Sequence, residues 1–132
     1  MLSNILKNGE LTRIFKELKS KYSGVQIEAS RKLYHYLIKH NEDCDDIFEE
    51  FNDMLSSNEK ETKLGCFIAL NKILTVGKET SIVHYVNKIM PMTFKQMKNN
   101  SPEIVEKAAE CLGNLAKAGG SITAEIAEKN LD

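Results

Sequence analysis

No stretch of this chain approaches the ~20 apolar residues that a membrane-crossing helix requires, and its N-terminus lacks the long apolar run and small-residue cleavage site of a secretory leader. Cysteine is scarce. Cys44, Cys66 and Cys111 are an odd number without close pairing, and two of them fall within helical periodicity, which fits a reduced, intracellular compartment better than a disulfide framework. Also missing is any sustained alternation of β-branched residues of the kind a half-buried strand shows. Neither sign of charge is in large excess: the formal net charge is −1, so the whole-molecule field requires neither nucleic acid nor an anionic membrane as a partner. The expectation is a soluble, cytoplasmic protein without direct membrane insertion.

The motifs of common enzyme classes are absent too. There is no Gly-x-x-x-x-Gly-Lys-Ser/Thr loop, His-Glu-x-x-His helix or Gly-x-Ser-x-Gly elbow, and none of the protein-kinase signatures. Asp43, Asp45 and Asp46 lack the central Gly and terminal Glu of a calcium loop, so they read as helix-capping acids. His35, His40 and His84 lie on different helical stretches, and Cys44 has no second thiol at zinc-site spacing; these four read as structural or solvent-facing. Gly119-Gly120 is not followed by the basic and hydroxyl residues of a phosphate loop. Asn99-Asn100-Ser101 matches a glycosylation sequon, but Pro102 follows it and a helix cap is the simpler use of Ser101. No catalytic, cofactor-binding or metal-binding residue is assigned.

What the chain does have is helical spacing from end to end. Its 132 residues, 42% of them hydrophobic, suffice for one compact domain, taken as residues 1–132. Leu11, Ile14, Phe15 and Leu18 form a first stripe that stops in a break over Ser20 to Gly24. Val25, Ala29, Leu33, Tyr36 and Leu37 mark a second helix ending near His40. Ile47, Phe48, Phe51, Met54 and Leu55 mark a third, with the Asp43 to Asp46 cluster at its N-terminus. A fourth is expected from about Asn58 to Val76, with Phe67, Leu70, Ile73 and Leu74 inward and Gly77 as its stop. A fifth spans about Ser81 to Met97, with a kink or break expected after Ile89 or Met90 because of Pro91. Ser101 and Pro102 open a sixth that Gly119-Gly120 is expected to end, and a seventh begins around Thr123 with Ile126 and Leu131 as its apolar residues. That last helix stops after barely two turns at Asp132, which suggests truncation at the C-terminus.

Three of these helices superimpose. Ala29, Leu33, Tyr36 and Leu37 match Cys66, Leu70, Ile73 and Leu74 at a shift of 37 residues, and those match Ala108, Leu112, Leu115 and Ala116 at a further 42. A hairpin period of about 40 residues is that of HEAT and armadillo repeats, so the fold expected is an all-α solenoid of about three hairpins. The small first residue lets neighbouring helices approach. Charge is blocked along the chain: +5 over residues 1–40, −8 over 41–61 and +2 over 62–132. Helices from the first two blocks are expected to lie side by side and offset one another.

Residues Lys63 to Leu74, Lys-Leu-Gly-Cys-Phe-Ile-Ala-Leu-Asn-Lys-Ile-Leu, resemble an N-terminal helix of the target-of-rapamycin (TOR) protein kinases that carries Lys-x-Gly-Gly-x-x-Ala-Ile, with Cys66 in place of the second Gly. Leu115 to Glu125, Leu-Ala-Lys-Ala-Gly-Gly-Ser-Ile-Thr-Ala-Glu, is similar to the family's Leu-Ala-x-Ala-Gly turn followed by Thr-Ala-Glu or Thr-Ala-Asp. Leu18 to Ser20 and Ala29 to Tyr36 resemble its opening helices. The likeness spans about residues 11 to 128, and Lys129 stands where the family usually has an aromatic residue.

The resemblance implies a segment of a very large serine/threonine kinase that couples nutrient status to growth, with ATP and magnesium bound only in a downstream kinase domain. It implies a scaffold role in a cytoplasmic complex, peripheral to endomembranes, whose partners are a Raptor-type subunit and the TOR dimer mate. No cofactor, small-molecule substrate or nucleic acid is implied for the segment itself. The residues alone leave two other readings: an unrelated HEAT or armadillo adaptor such as a transport receptor or phosphatase scaffold, and a small nucleic-acid binder using the basic N-terminal block. With Leu33, Leu70 and Leu112 read as inward, Leu70→Asp or Leu112→Asp is expected to abolish the helical signal of the segment in circular dichroism.

Overall fold

Helical spacing of apolar residues dictates helices, and the computed structural model describes an all-helical chain. It describes residues 8–76 and 86–130, with side chains at 8–75 and 89–117, and among these every regular element is helical. In order they are α1 (Gly9–Leu18), α2 (Ser23–Lys39), a 3-10 turn (Asn41–Asp43), α3 (Cys44–Leu55), α4 (Lys60–Val76), α5 (Val86–Gln96) and α6 (Pro102–Asn130). The chain divides into two compact units, Met1–Lys72 and Ile73–Asp132. No helix among the described residues is long and apolar enough to cross a membrane.

In the first unit, α1 buries all four residues of its stripe: Leu11, Ile14, Phe15 and Leu18. Its N-cap is Asn8, whose Oδ1 accepts from the Leu11 N–H at 3.0 Å and so satisfies one of the free donors of the first turn. α2 packs on α1 through Ala29, Leu33 and Tyr36. The break before it is shorter than expected, because Ser23 and Gly24 already belong to the helix. Val25 is also a correction: it is 40% exposed. The inward position one residue on is taken by Gln26, a buried amide that the packing requires. Leu37 is half-buried.

α3 buries Ile47, Phe48, Phe51, Met54 and Leu55. Phe51 meets Phe15 edge-on at 6.0 Å and Phe48 at 5.2 Å. Asp45 and Asp46 sit in its first turn, where carboxylates favour the helix dipole. Asp43 occupies the N-cap position but makes no side-chain cap bond; its carboxylate accepts instead from the Tyr36 hydroxyl. An ion pair of 3.1 Å between Lys19, just beyond α1, and the buried Glu50 of α3 joins the basic and acidic blocks of the sequence.

α4 is placed by a backbone contact. A Cβ on Gly65 would land on the Leu18 carbonyl, within 2.8 Å of its carbon, and 3.1 Å from Gln26 Nε2. The end of α1 therefore rests directly on the α4 backbone. Gln26 Nε2 donates to that Leu18 carbonyl at 2.9 Å and to the Glu61 carbonyl at 2.7 Å, binding three helices at one point. Close by, the Cys66 thiol donates to the Phe51 carbonyl at 3.5 Å. Phe67, Ala69 and Leu70 are fully buried, and Ile73 and Leu74 are buried as expected. Gly77, the expected stop, and the expected start at Ser81 lie outside the described residues.

Of the kink or break expected after Ile89 or Met90, the break is absent in the second unit: α5 runs through Pro91 as one helix. A proline there forfeits one backbone bond. The buried residues Ile89, Met90, Thr93 and Gln96 still share a face while Pro91 points outward, and Thr93 Oγ1 donates to the Ile89 carbonyl at 2.9 Å. Asn99 Oδ1 accepts from the Ser101 N–H at 2.8 Å in the turn. Pro102 is the first helical residue of α6, and the Ser101 carbonyl accepts the first helical bond, from Val105. α6 packs against α5 through Ile104, Ala108, Cys111 and Leu115.

Three further expectations for α6 change. The helix continues through Gly119-Gly120 to Asn130, so the seventh helix expected near Thr123 is the last part of the sixth. Glycine in a helix interior costs about 1 kcal/mol relative to alanine, which weakens a helix without ending it. Leu112 is half-buried and Ala116 exposed, so the buried line passes through Cys111 and Leu115 instead. Leu131 lies outside the described residues.

Two predictions follow from this packing. Leu70→Asp should unfold the first unit, since a carboxylate in that core costs several kcal/mol against a total of ~5–15; Leu112→Asp should be much milder, and circular dichroism melts compare them. Gly65→Ala should lose about 2–3 kcal/mol despite alanine's better helix propensity, whereas Gly113→Ala, with open space around its would-be Cβ, should gain about 0.5–1 kcal/mol. Urea titration of both variants reads the contrast.

Candidate binding surface on the second helix

Helical geometry puts residues four apart on one row. On α2 this aligns Arg31, His35 and Lys39, and beside them Lys32, Tyr36 and His40. With Glu10 of α1 these six side chains line an open cleft of about 400 Å³. Three permanent cations thus face one carboxylate, and two imidazoles and a phenol complete the wall.

The cleft's charges are held in place unequally. Arg31 is bonded to Glu28 on its own helix, and that contact lowers the Glu28 pKa and raises that of Arg31. Lys32 reaches Glu17 of α1 at 3.3 Å, and His40 Nδ1 lies 3.4 Å from Glu42. Exposed pairs of this kind contribute little stability. Lys39 has no ion-pair partner among the described residues.

Tyr36 is the cleft's fixed point. Asn8 Nδ2 donates to its hydroxyl at 2.6 Å, and that hydroxyl donates to Asp43. The α1 cap, the last turn of α2 and the 3-10 turn are linked through a single phenol. Its pKa is pushed up to about 12, first by burial and then by the Asp43 carboxylate. In the second unit burial likewise pushes the Cys111 thiol up to about 12, with Thr93 Oγ1 3.8 Å from the sulfur. Cys44, Cys66 and Cys111 are outside any disulfide and all buried.

His35 and His40, expected on different helices, are a body residue and the C-cap of the same α2, and both line the cleft; His84 lies outside the described residues. Cys44 is turned into the core. Among the described residues no three His, Cys, Asp or Glu side chains gather as a metal site requires. Sequence reasoning did not single out Arg31, Lys32 and Lys39 as a cluster. Their spacing of one and eight residues was visible, but the matching wall from α1 was not. No protein-family model and no solved structure matches the chain.

A phenol held neutral by the fold ties stability to alkaline pH. The folded pKa lies above the ordinary value of 10.0, so the contribution is complete below pH 10 and lost as pH rises through about 12. Tyr36→Phe should cost about 1–2 kcal/mol at neutral pH through the lost hydrogen bond. The gap to wild type should close in urea titrations as pH is raised through that window.

Proposed function

We propose that the chain is the N-terminal HEAT-repeat scaffold of a TOR-type serine/threonine kinase, serving complex assembly and partner binding with no catalysis in this segment. The observation that carries the reading is the repeated small residue: Ala29, Cys66 and Ala108, spaced 37 and 42 residues apart, each have no exposed surface. A helical-hairpin stack needs a small residue at the same place in every repeat, because that is where neighbouring helices close up. The pairing of α1 with α2, the Cys66 bond to Phe51 between α3 and α4, and the pairing of α5 with α6 are compatible with three successive hairpins.

The Lys63 to Leu74 run supports the TOR ancestry in particular. Its first Gly is Gly65, the residue whose missing Cβ admits the Leu18 carbonyl, so a motif glycine has a packing role here. On this reading the partners are a Raptor-type subunit and a dimer mate in a cytoplasmic complex peripheral to endomembranes, and ATP and magnesium belong to a domain farther along the polypeptide. The mechanism is geometric: buried faces hold the stack, and outward faces are read by other proteins.

The size of the native polypeptide tests the proposal. An antibody raised against this segment should detect a band far larger than 14.9 kDa, and the transcript should read past the codon for Asp132 into a kinase domain. A single band near that mass with a true stop codon would instead leave a stand-alone helical adaptor.

A further inference from the structure

Two exposed features of α2 lie side by side. Ile27 and Ile38 are 58% and 61% exposed, and they are among the few large apolar side chains so exposed among the described residues. Eleven residues apart on a helix they fall within about 20° of one another, and the half-buried Tyr34 falls on the same line. Arg31, His35 and Lys39 run along one flank of that line and form the near wall of the cationic cleft. An apolar ridge bordered by a basic trough is the complement of a helix with apolar and acidic residues on adjoining faces.

We propose that the outward face of α2 docks an acidic amphipathic segment of a partner protein, with its apolar side chains against Ile27, Tyr34 and Ile38 and its carboxylates in the cleft. The inference rests on reading the chain as a partner-binding scaffold, and it adds which face binds and the chemistry of what is bound. Lys39, with no ion-pair partner among the described residues, is the cation a guest carboxylate reaches without breaking an existing pair. Arg31 and Lys32 are shared with Glu28 and Glu17 at the surface, where exchanging one carboxylate for another costs little. Glu10 on the α1 wall sets a limit on the guest's charge at that side.

An anionic bilayer fits the face less well. Basic segments that hold to such lipids typically bring about 4–8 Lys or Arg together; here three stand against Glu10, and they line a concavity that a flat bilayer leaves unfilled.

The test uses the full 132-residue chain and a displayed library of random peptides of about 16 residues, roughly four helical turns. Selected sequences are expected to combine Asp or Glu with apolar residues at helical spacing. A selected peptide, made synthetically and labelled, should bind about tenfold more weakly to Lys39→Glu and to Ile38→Ser, and more weakly as salt is raised. Both positions are exposed, so both variants should keep the wild-type melting temperature.

Three results would overturn the proposal: selection without acidic enrichment, binding by either variant as tight as by the wild type, or loss of binding only where the variant has also unfolded. Binding to phosphatidylserine vesicles with no peptide selected would assign the face to a membrane. Concentration-dependent dimerisation abolished by Lys39→Glu would assign it to a second copy of the chain. Either of these would also overturn the proposal. A true stop codon after Asp132 would defeat the TOR reading while leaving the peptide result standing, so the two fail separately.

Discussion

The carbonyl of Leu18, the last residue of α1, lies against the backbone of α4 at Gly65 and receives the Gln26 amide. Carbonyls at a helix C-terminus have no partner within the helix, so burying one obliges another group to donate to it. Gln26 supplies that donor and with its second bond, to the Glu61 carbonyl, fixes the first turn of α4 to the same point. The arrangement works only if the α4 backbone comes close enough, and a side chain at position 65 would prevent that. From this junction the rest of the first unit is set: the register of α2 on α1, the place of α4, and the seating of Cys66 against Phe51.

A second anchor stands at the other end of α2. Tyr36 is bonded to the cap of α1 and to the acid that precedes α3, which makes a polar link of what the sequence presents as a core aromatic. Buried hydroxyls that keep both a donor and an acceptor partner specify geometry more tightly than an apolar ring of the same size. Held at both ends, α2 presents its remaining face as a fixed row: ridge residues Ile27, Tyr34 and Ile38, then the cations of the cleft. Which side of α2 faces out is decided by these two anchors.

Much of the helical pattern was legible because burial repeats at the helical period. The stripes of α1 and α3 and the small residues Ala29, Cys66 and Ala108 are buried as their spacing implied. The failures have local causes. Gly119-Gly120 read as a stop and Pro91 as a kink or break, yet each subtracts only a limited energy from a helix that continues through it. Val25 gave way to Gln26 because a hydrogen bond at the junction outranked one more apolar contact. Leu112 lost the inward place to Cys111, one residue before it, where a rotation of about 100° per residue separates buried from half-buried.

The cationic cleft was legible only in half, because its two rows are spaced along one helix while the opposing wall comes from Glu10, more than twenty residues earlier. By itself the sequence determined that this protein is built of helices, where most of them begin and which residues they bury, since periodicity is a property of neighbours along the chain. Tertiary structure alone decided that Gly65 is a contact, that Tyr36 is a link and that Arg31, His35 and Lys39 border an open cleft. Those facts depend on distances between segments far apart in sequence, which no local pattern encodes.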